Sequence, residues 1–188
     1  MCLGITANKH FIGNLLIYIV KNVPCLYQTK LLKLLYLIDE ASVCNYGTPI
    51  TWLDYEVWEL GPVAKDIYYS KNEFENRFAD YIKFVKTEDN TYRVIALKEC
   101  DMGEFSEINL EIINRVLFQY GSMPANELID ITHKPQSLWS KIKNEHNLSF
   151  DKQKISDYTI DFRELIADDK IKLAIYNDAK ENLTLFGA

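Results

Sequence analysis

The sequence predicts an α+β protein that is predominantly α-helical, with a central buried helix, surrounding helices and a small β-hairpin. Three observations lead to this prediction. One segment is apolar at nearly every helical position, a polar turn joins two segments rich in β-branched and aromatic residues, and the second half holds several amphipathic segments. The 188-residue chain is 48% apolar, which is enough to bury a substantial core.

A central helix is predicted for residues 28–40. Its apolar residues recur at the helical spacing i, i+3, i+4 and i+7, as Leu31, Leu34, Leu35 and Ile38. Further apolar side chains lie between these positions and leave only a narrow polar strip. A helix with this pattern is usually packed on several sides, so we expect it at the centre of the core.

Residues 11–20 form a second apolar segment, similar in composition to the apolar part of a secretion signal. Asn14 interrupts the segment, and no small-residue cleavage site follows it. It is also shorter than the roughly 20 residues that a membrane span needs. We therefore expect a core-facing helix in a soluble, cytoplasmic protein with no membrane partner.

Two regions of the first half predict β-structure. Residues 81–85 and 91–97 favour a β-hairpin because a polar turn separates two β-prone segments. Residues 54–59 predict either a further short strand or a loop, and we expect Gly61-Pro62 to end this segment. Pro62 is then expected to be the first residue of a helix, where its missing N–H is not needed.

The second half of the chain predicts helices. Their expected ranges are 107–120, 125–132, 137–143 and 163–183. We expect one domain over residues 1–188. Residues 1–100 would supply the N-terminal helices and the hairpin, and residues 104–188 the C-terminal helices, with a tail at 155–188 that matches no known pattern.

Composition argues against several classes of protein. The formal net charge of -6 opposes a general role in nucleic-acid binding, which needs a concentrated positive field. The four cysteines, Cys2, Cys25, Cys44 and Cys100, form no close pair, and we expect them to be reduced and mostly buried. Because no Cys/His cluster has metal-ligand spacing, no metal site and no cofactor are predicted.

Catalytic patterns are also missing from the sequence. There is no nucleophile elbow, phosphate loop or dinucleotide-binding glycine motif. The acid pairs Asp39-Glu40 and Glu56-Glu59 are interpreted as solvated or capping carboxylates. We therefore predict no catalytic residues and no enzyme activity.

One DNA-binding interpretation stays open. The segments 107–120, 125–132 and 137–143, joined by short Gly and Pro turns, have the lengths of a helix-turn-helix. The last of them would present Ser137, Ser140, Lys141 and Lys143. This alternative makes the chain a regulator that uses the helices around 125–143.

Three stretches together resemble the SocA-like Panacea domain, also found in phage-associated proteins of the GepA type. The first is a lysine-tyrosine helix, the second a YGxPI…GPV block, and the third a later block with Thr-His and Trp. The matching positions are Lys30, Lys33, Tyr36, Tyr46, Gly47, Pro49, Trp58, Gly61, Pro62, Val63, Tyr68, Thr132, His133 and Trp139. They follow the order of the family pattern over roughly residues 30–68 and 120–139.

This resemblance implies a bacterial or prophage-borne antitoxin that neutralises a toxin encoded by a neighbouring gene. It also implies direct protein contact rather than catalysis, with the motif positions serving structure or partner binding. A homo-oligomer is compatible with this interpretation. The chain departs from the pattern at Glu59-Leu60, where a basic or aromatic residue is expected, and in the tail, which is the expected partner-specific part.

Overall fold

The computed structural model describes residues 8–72, 76–151 and 153–186. These residues form seven α-helices and two antiparallel two-stranded sheets, so the α+β, mostly helical fold class is confirmed. In chain order the elements are α1 (Lys9–Asn22), α2 (Gln28–Tyr46), β1 (Tyr55–Trp58), β2 (Gly61–Ala64), α3 (Lys65–Tyr69), β3 (Ile82–Lys86), β4 (Tyr92–Ala96), α4 (Glu107–Tyr120), α5 (Ala125–Thr132), α6 (Leu138–Glu145) and α7 (Lys170–Phe186).

Helix α2 is the centre of the core, as its apolar pattern predicts. Twelve of its residues are buried, and it contacts α4, α5, β2 and a 3₁₀ helix at Phe162–Ile166. It is six residues longer than expected and ends at Gly47, which has a φ of 84° and donates its N–H to the carbonyl of Val43. The last turns carry no apolar repeat, and this glycine cap determines their end.

The hairpin β3–β4 is confirmed, and so is the short strand β1. The prediction for Pro62 is wrong, because this residue lies in β2 and pairs with Val57 rather than starting a helix. Gly61 has a φ of 99°, which lets the chain reverse after Glu59-Leu60 and return along β1. The helix α3 begins only after this strand ends.

The C-terminal tail packs along the hairpin β1–β2. Val57 donates its N–H to the carbonyl of Tyr158 at 2.9 Å, and Ile160 donates to the carbonyl of Tyr55 at 2.8 Å. The single helix expected at 163–183 is instead two elements, Phe162–Ile166 and α7. The break follows from Asp169, whose side chain accepts the N–H of Lys172 and begins the new helix.

No helix in the described part of the chain is long and apolar enough to cross a membrane. The prediction of mostly buried cysteines is wrong for Cys25 and Cys44, which are exposed, while Cys100 is half-buried. Cys25 lies in the turn before α2 and Cys44 in its exposed last turn, and Cys2 lies outside the described residues.

Candidate functional site

Several motif positions converge in one buried polar cluster beneath the β1–β2 turn. We call it the Lys33 cluster, and its members are Lys33, Gly61, Pro62, Thr132 and His133. The Lys33 side chain is 1% exposed, and its ammonium nitrogen donates to the carbonyl of Pro62 at 2.7 Å. α2 supplies the lysine, β2 the acceptor and the end of α5 the threonine, so the cluster joins three elements.

Gly61 makes this close approach possible. A Cβ atom at this position would lie 2.7 Å from Thr132 Oγ1 and 2.9 Å from Lys33 Cε. The threonine is itself fixed, because its hydroxyl donates to the carbonyl of Ile129 at 2.9 Å. The glycine is therefore required both for its positive φ and for the space that it leaves.

We expect Gly61→Ala to lower the free energy of unfolding by about 2 kcal/mol, through backbone strain and displacement of these neighbours. Urea denaturation followed by circular dichroism measures this loss. Gly103→Ala is the matched control, since a Cβ there would meet only the flexible Asp101 side chain at 3.2 Å. Equal stability of the two variants would contradict the role assigned to Gly61.

Burial dominates the electrostatics of Lys33. Removal from water lowers its pKa from 10.5 to about 7. Its described hydrogen bond is to a carbonyl group, and no carboxylate among the described residues forms an ion pair with it. A buried amine without a counter-charge is costly to protonate.

His133 and Trp139 extend the cluster toward α6. Their rings stack with centroids 3.6 Å apart, and the indole N–H of Trp139 donates to the carbonyl of Trp58 at 2.8 Å. Burial, followed by the charges of Lys33 and Lys143, lowers the pKa of His133 to about 4. The imidazole is therefore neutral at pH 7, and its buried Nε2 has no hydrogen-bond partner among the described residues.

Trp58 connects the Lys33 cluster to the surface. Its indole N–H donates to the carboxylate of Glu56 at 3.0 Å, and Glu56 also pairs with Lys65 at 2.6 Å. The ring packs edge-on against Tyr68 with centroids 4.8 Å apart. Glu56 is buried, so its interpretation as a solvated or capping acid is wrong. Glu59 forms an ion pair with Lys154 at 3.0 Å.

A second buried polar group, Asp39, holds the loop between α2 and β1. Its carboxylate accepts hydrogen bonds from the backbone N–H groups of Ile50 and Thr51, each at 2.8 Å, from the hydroxyl of Thr51 and from the hydroxyl of Tyr55 at 2.8 Å. Burial raises its pKa to about 6 although these bonds act in the opposite direction. The interpretation of Asp39 as a solvated acid is wrong.

The sequence does carry a signal for Asp39. It lies three residues after Tyr36 and four after Leu35, and therefore on a buried face of α2. A carboxylate on such a face must find several donors, and the loop that follows the helix supplies them. The donors themselves, at positions 50, 51 and 55, follow no sequence spacing rule.

Tyr36 lies beside Asp39 in the same aromatic core. It is 1% exposed, it stacks on Phe162 with centroids 5.5 Å apart, and it meets Tyr55 edge-on at 5.4 Å. Its hydroxyl donates to Glu40 at 2.8 Å. This tyrosine fixes α2 to the C-terminal tail.

The remaining motif residues join α2 and the β1–β2 region to their neighbours. Lys30 donates to the carbonyl of Gly121 at 2.6 Å, which caps the C-terminus of α4. Tyr46 donates to Glu111 at 3.3 Å, whereas Pro49 and Val63 are buried. A Cβ on Gly47 would lie 3.0 Å from the carbonyl oxygen of Lys172 in α7.

The helix-turn-helix residues are used inside the fold. Ser137 caps α6 by accepting the N–H of Ser140, and the buried hydroxyl of Ser140 donates to the carbonyl of His133 at 2.9 Å. Lys141 is paired with Glu164, and Lys143 lies 5.3 Å from the Trp139 ring. The two serines are therefore engaged within the fold, whereas Lys141 is exposed and has its charge balanced by Glu164.

Comparison with families of known proteins gives a match to this chain. The family model described as antitoxin SocA-like, Panacea domain, matches residues 31–140, which is more than half of the chain. The matched segment begins in α2 and ends in α6, and it contains the Lys33 cluster, Asp39 and Tyr36. No curated protein and no solved structure matches the chain.

Proposed function

The chain belongs to the SocA-like antitoxin family defined by the Panacea domain, and we propose that it neutralises a cognate toxin, encoded by a neighbouring gene, through direct protein contact. The family match carries this proposal. It also confirms the resemblance seen in the sequence. The action proposed is binding, without a chemical step or a cofactor.

The geometry of the motif supports binding through other parts of the surface. The motif side chains Lys33, Tyr36 and Thr132 are each at most 2% exposed, and their polar atoms are hydrogen-bonded to groups of the same chain. Side chains buried in this way cannot contact a partner without partial unfolding. These buried motif positions thus act as a scaffold, whereas the motif residue Tyr46 is 37% exposed. A scaffold of this kind can present different surfaces to different toxins.

We propose that partner specificity resides in α7, beyond the family segment. Its exposed side includes Ile171, Ile175 and Leu185, which are 75%, 44% and 64% exposed, although Tyr176 anchors the helix against Trp52 with centroids 5.1 Å apart. Exposed apolar side chains on an anchored helix are typical of partner-binding surfaces. The net charge of -6 favours a basic toxin, such as one that acts on nucleic acid or nucleotide.

The test is co-expression with each neighbouring gene under tight control in a bacterial host. Growth arrest by the neighbour alone and rescue by this chain establish the antitoxin role, and copurification establishes contact. Rescue without a complex would contradict neutralisation by binding. Sequence-dependent, salt-sensitive binding to its own promoter would favour the regulator instead.

The double variant Ile171→Glu with Ile175→Glu is expected to weaken toxin binding at least about tenfold and to abolish rescue. Two carboxylates would have to be desolvated at the interface, while an acid at position 171 suits the N-terminus of α7. Isothermal titration calorimetry and the growth assay measure the effect. Leu97→Glu, at a 47%-exposed position that follows β4, is the control, and equal loss in both variants would contradict a role specific to α7.

A further inference from the structure

Helix α4 carries an exposed stripe that the core does not use. We call Ile108, Glu111, Arg115 and Phe118 the α4 stripe. Phe118 is 92% exposed and Ile108 is 53% exposed. Both charged residues between them are exposed as well, and Glu111 also accepts the hydroxyl of Tyr46 at the surface at 3.3 Å. The opposite face of the helix is buried in the core through Ile112, Ile113, Val116 and Leu117.

The stripe lies on a firmly positioned helix. Ser106 caps its start by accepting the N–H of Asn109, Tyr18 of α1 donates to Asn114 at 2.7 Å, and Lys30 caps its end. The 3-4-3 spacing of the stripe keeps all four side chains on one face over about 15 Å. Phe118 and Ile108 on one face of such a helix offer apolar surface to another molecule.

The order of residues along the stripe identifies the partner. Residue 113 lies midway along the helix axis between positions 108 and 118. It also lies midway between positions 111 and 115. If a second α4 is laid antiparallel across this point, Ile108 faces Phe118 of the other copy and Glu111 faces Arg115. The two-fold symmetry repeats each contact, so the pair contains two apolar contacts and two acid-base contacts. Glu107 faces Gln119 at the outer ends of the paired helices.

We propose that a second copy of this chain docks on the α4 stripe and forms a two-fold symmetric, antiparallel helix pair. The charge complementarity applies to this antiparallel arrangement, because in a parallel pair Glu111 would face Glu111. The contact covers one helix face, at the lower end of specific interfaces, so a dissociation constant on the order of 10 µM is expected. This dimer does not use α7 residues and goes beyond the proposed neutralisation of a toxin.

Sedimentation velocity of the full chain over a concentration series tests the proposal without any toxin. The single reversals Glu111→Arg and Arg115→Glu each place like charges opposite one another, and each is expected to weaken association at least about tenfold. The double reversal restores both pairs, so its dissociation constant should return to within about threefold of the parent. Failure of this rescue would overturn the helix pairing.

A second pair of variants tests the apolar contacts. Phe118→Ser is expected to abolish the dimer and to keep the circular dichroism spectrum, because this side chain is almost fully exposed, whereas Leu97→Ser leaves association unchanged. A wild-type chain that stays monomeric up to about 0.5 mM overturns the proposal. Loss of toxin rescue by Phe118→Ser in such a monomer would assign the α4 stripe to the toxin instead.

Discussion

Replacing Asp39 with alanine is expected to lower the free energy of unfolding by about 4–6 kcal/mol, enough to unfold a protein of ordinary stability. The change removes one acceptor for four donors, namely the N–H groups of Ile50 and Thr51 and the hydroxyls of Thr51 and Tyr55. Each donor would be left unpaired inside the protein, at about 1–3 kcal/mol for a buried group. Urea denaturation and thermal melting measure the loss.

Two variants separate this role from a general effect of losing a carboxylate. Asp39→Asn keeps one acceptor oxygen and is expected to lose less stability than Asp39→Ala. Asp89→Ala removes an exposed carboxylate that also accepts threonine hydroxyls in the β3–β4 turn, and it should melt close to the parent. An Asp39→Ala protein that melts like Asp89→Ala would contradict the structural role of Asp39.

The sequence predicted those elements that depend on local pattern. The apolar period of α2, the amphipathic segments at 107–120 and 125–132, and the β-prone segments on either side of a polar turn each place their element correctly. Local sequence pattern did not predict the secondary structure of residues whose conformation depends on tertiary contacts. Pro62 satisfies the rule for a first helical residue, but pairing with Val57 places it in a strand.

In the candidate site, too, the sequence predicted individual positions but not the tertiary contacts between them. The resemblance supplied Lys33, Gly61 and Thr132 as separate motif positions, and only the fold shows that a glycine without a Cβ brings the other two together. Asp39 was interpreted as a solvated or capping acid, because its hydrogen-bond partners come from a loop with no recognisable spacing. Long-range hydrogen bonds of this kind depend on how α2, β1 and the loop pack, which periodicity does not encode.

The pH dependence of stability provides the test of Lys33. Its pKa is about 7 in the folded protein against 10.5 when solvated, so the unfolded chain binds more protons between these values. Stability should therefore rise with pH in this window, by roughly 3 kcal/mol from pH 7 to 9.5, and the gain is lost as pH falls toward 7. Chemical denaturation at several pH values measures this slope.

Lys33→Met should remove that slope, which isolates the lysine from other groups that titrate in the same range. The variant is expected to be at least as stable as the parent at pH 7, because the cost of burying an amine exceeds the loss of its bond to Pro62. At pH 9.5 the parent should be as stable as Lys33→Met or more stable. Lys83→Met, which removes an exposed ammonium on β3, should keep the slope of the parent. If Lys33→Met kept it as well, the lysine would have to be solvated in the folded protein, and the Lys33 cluster would be open to a partner.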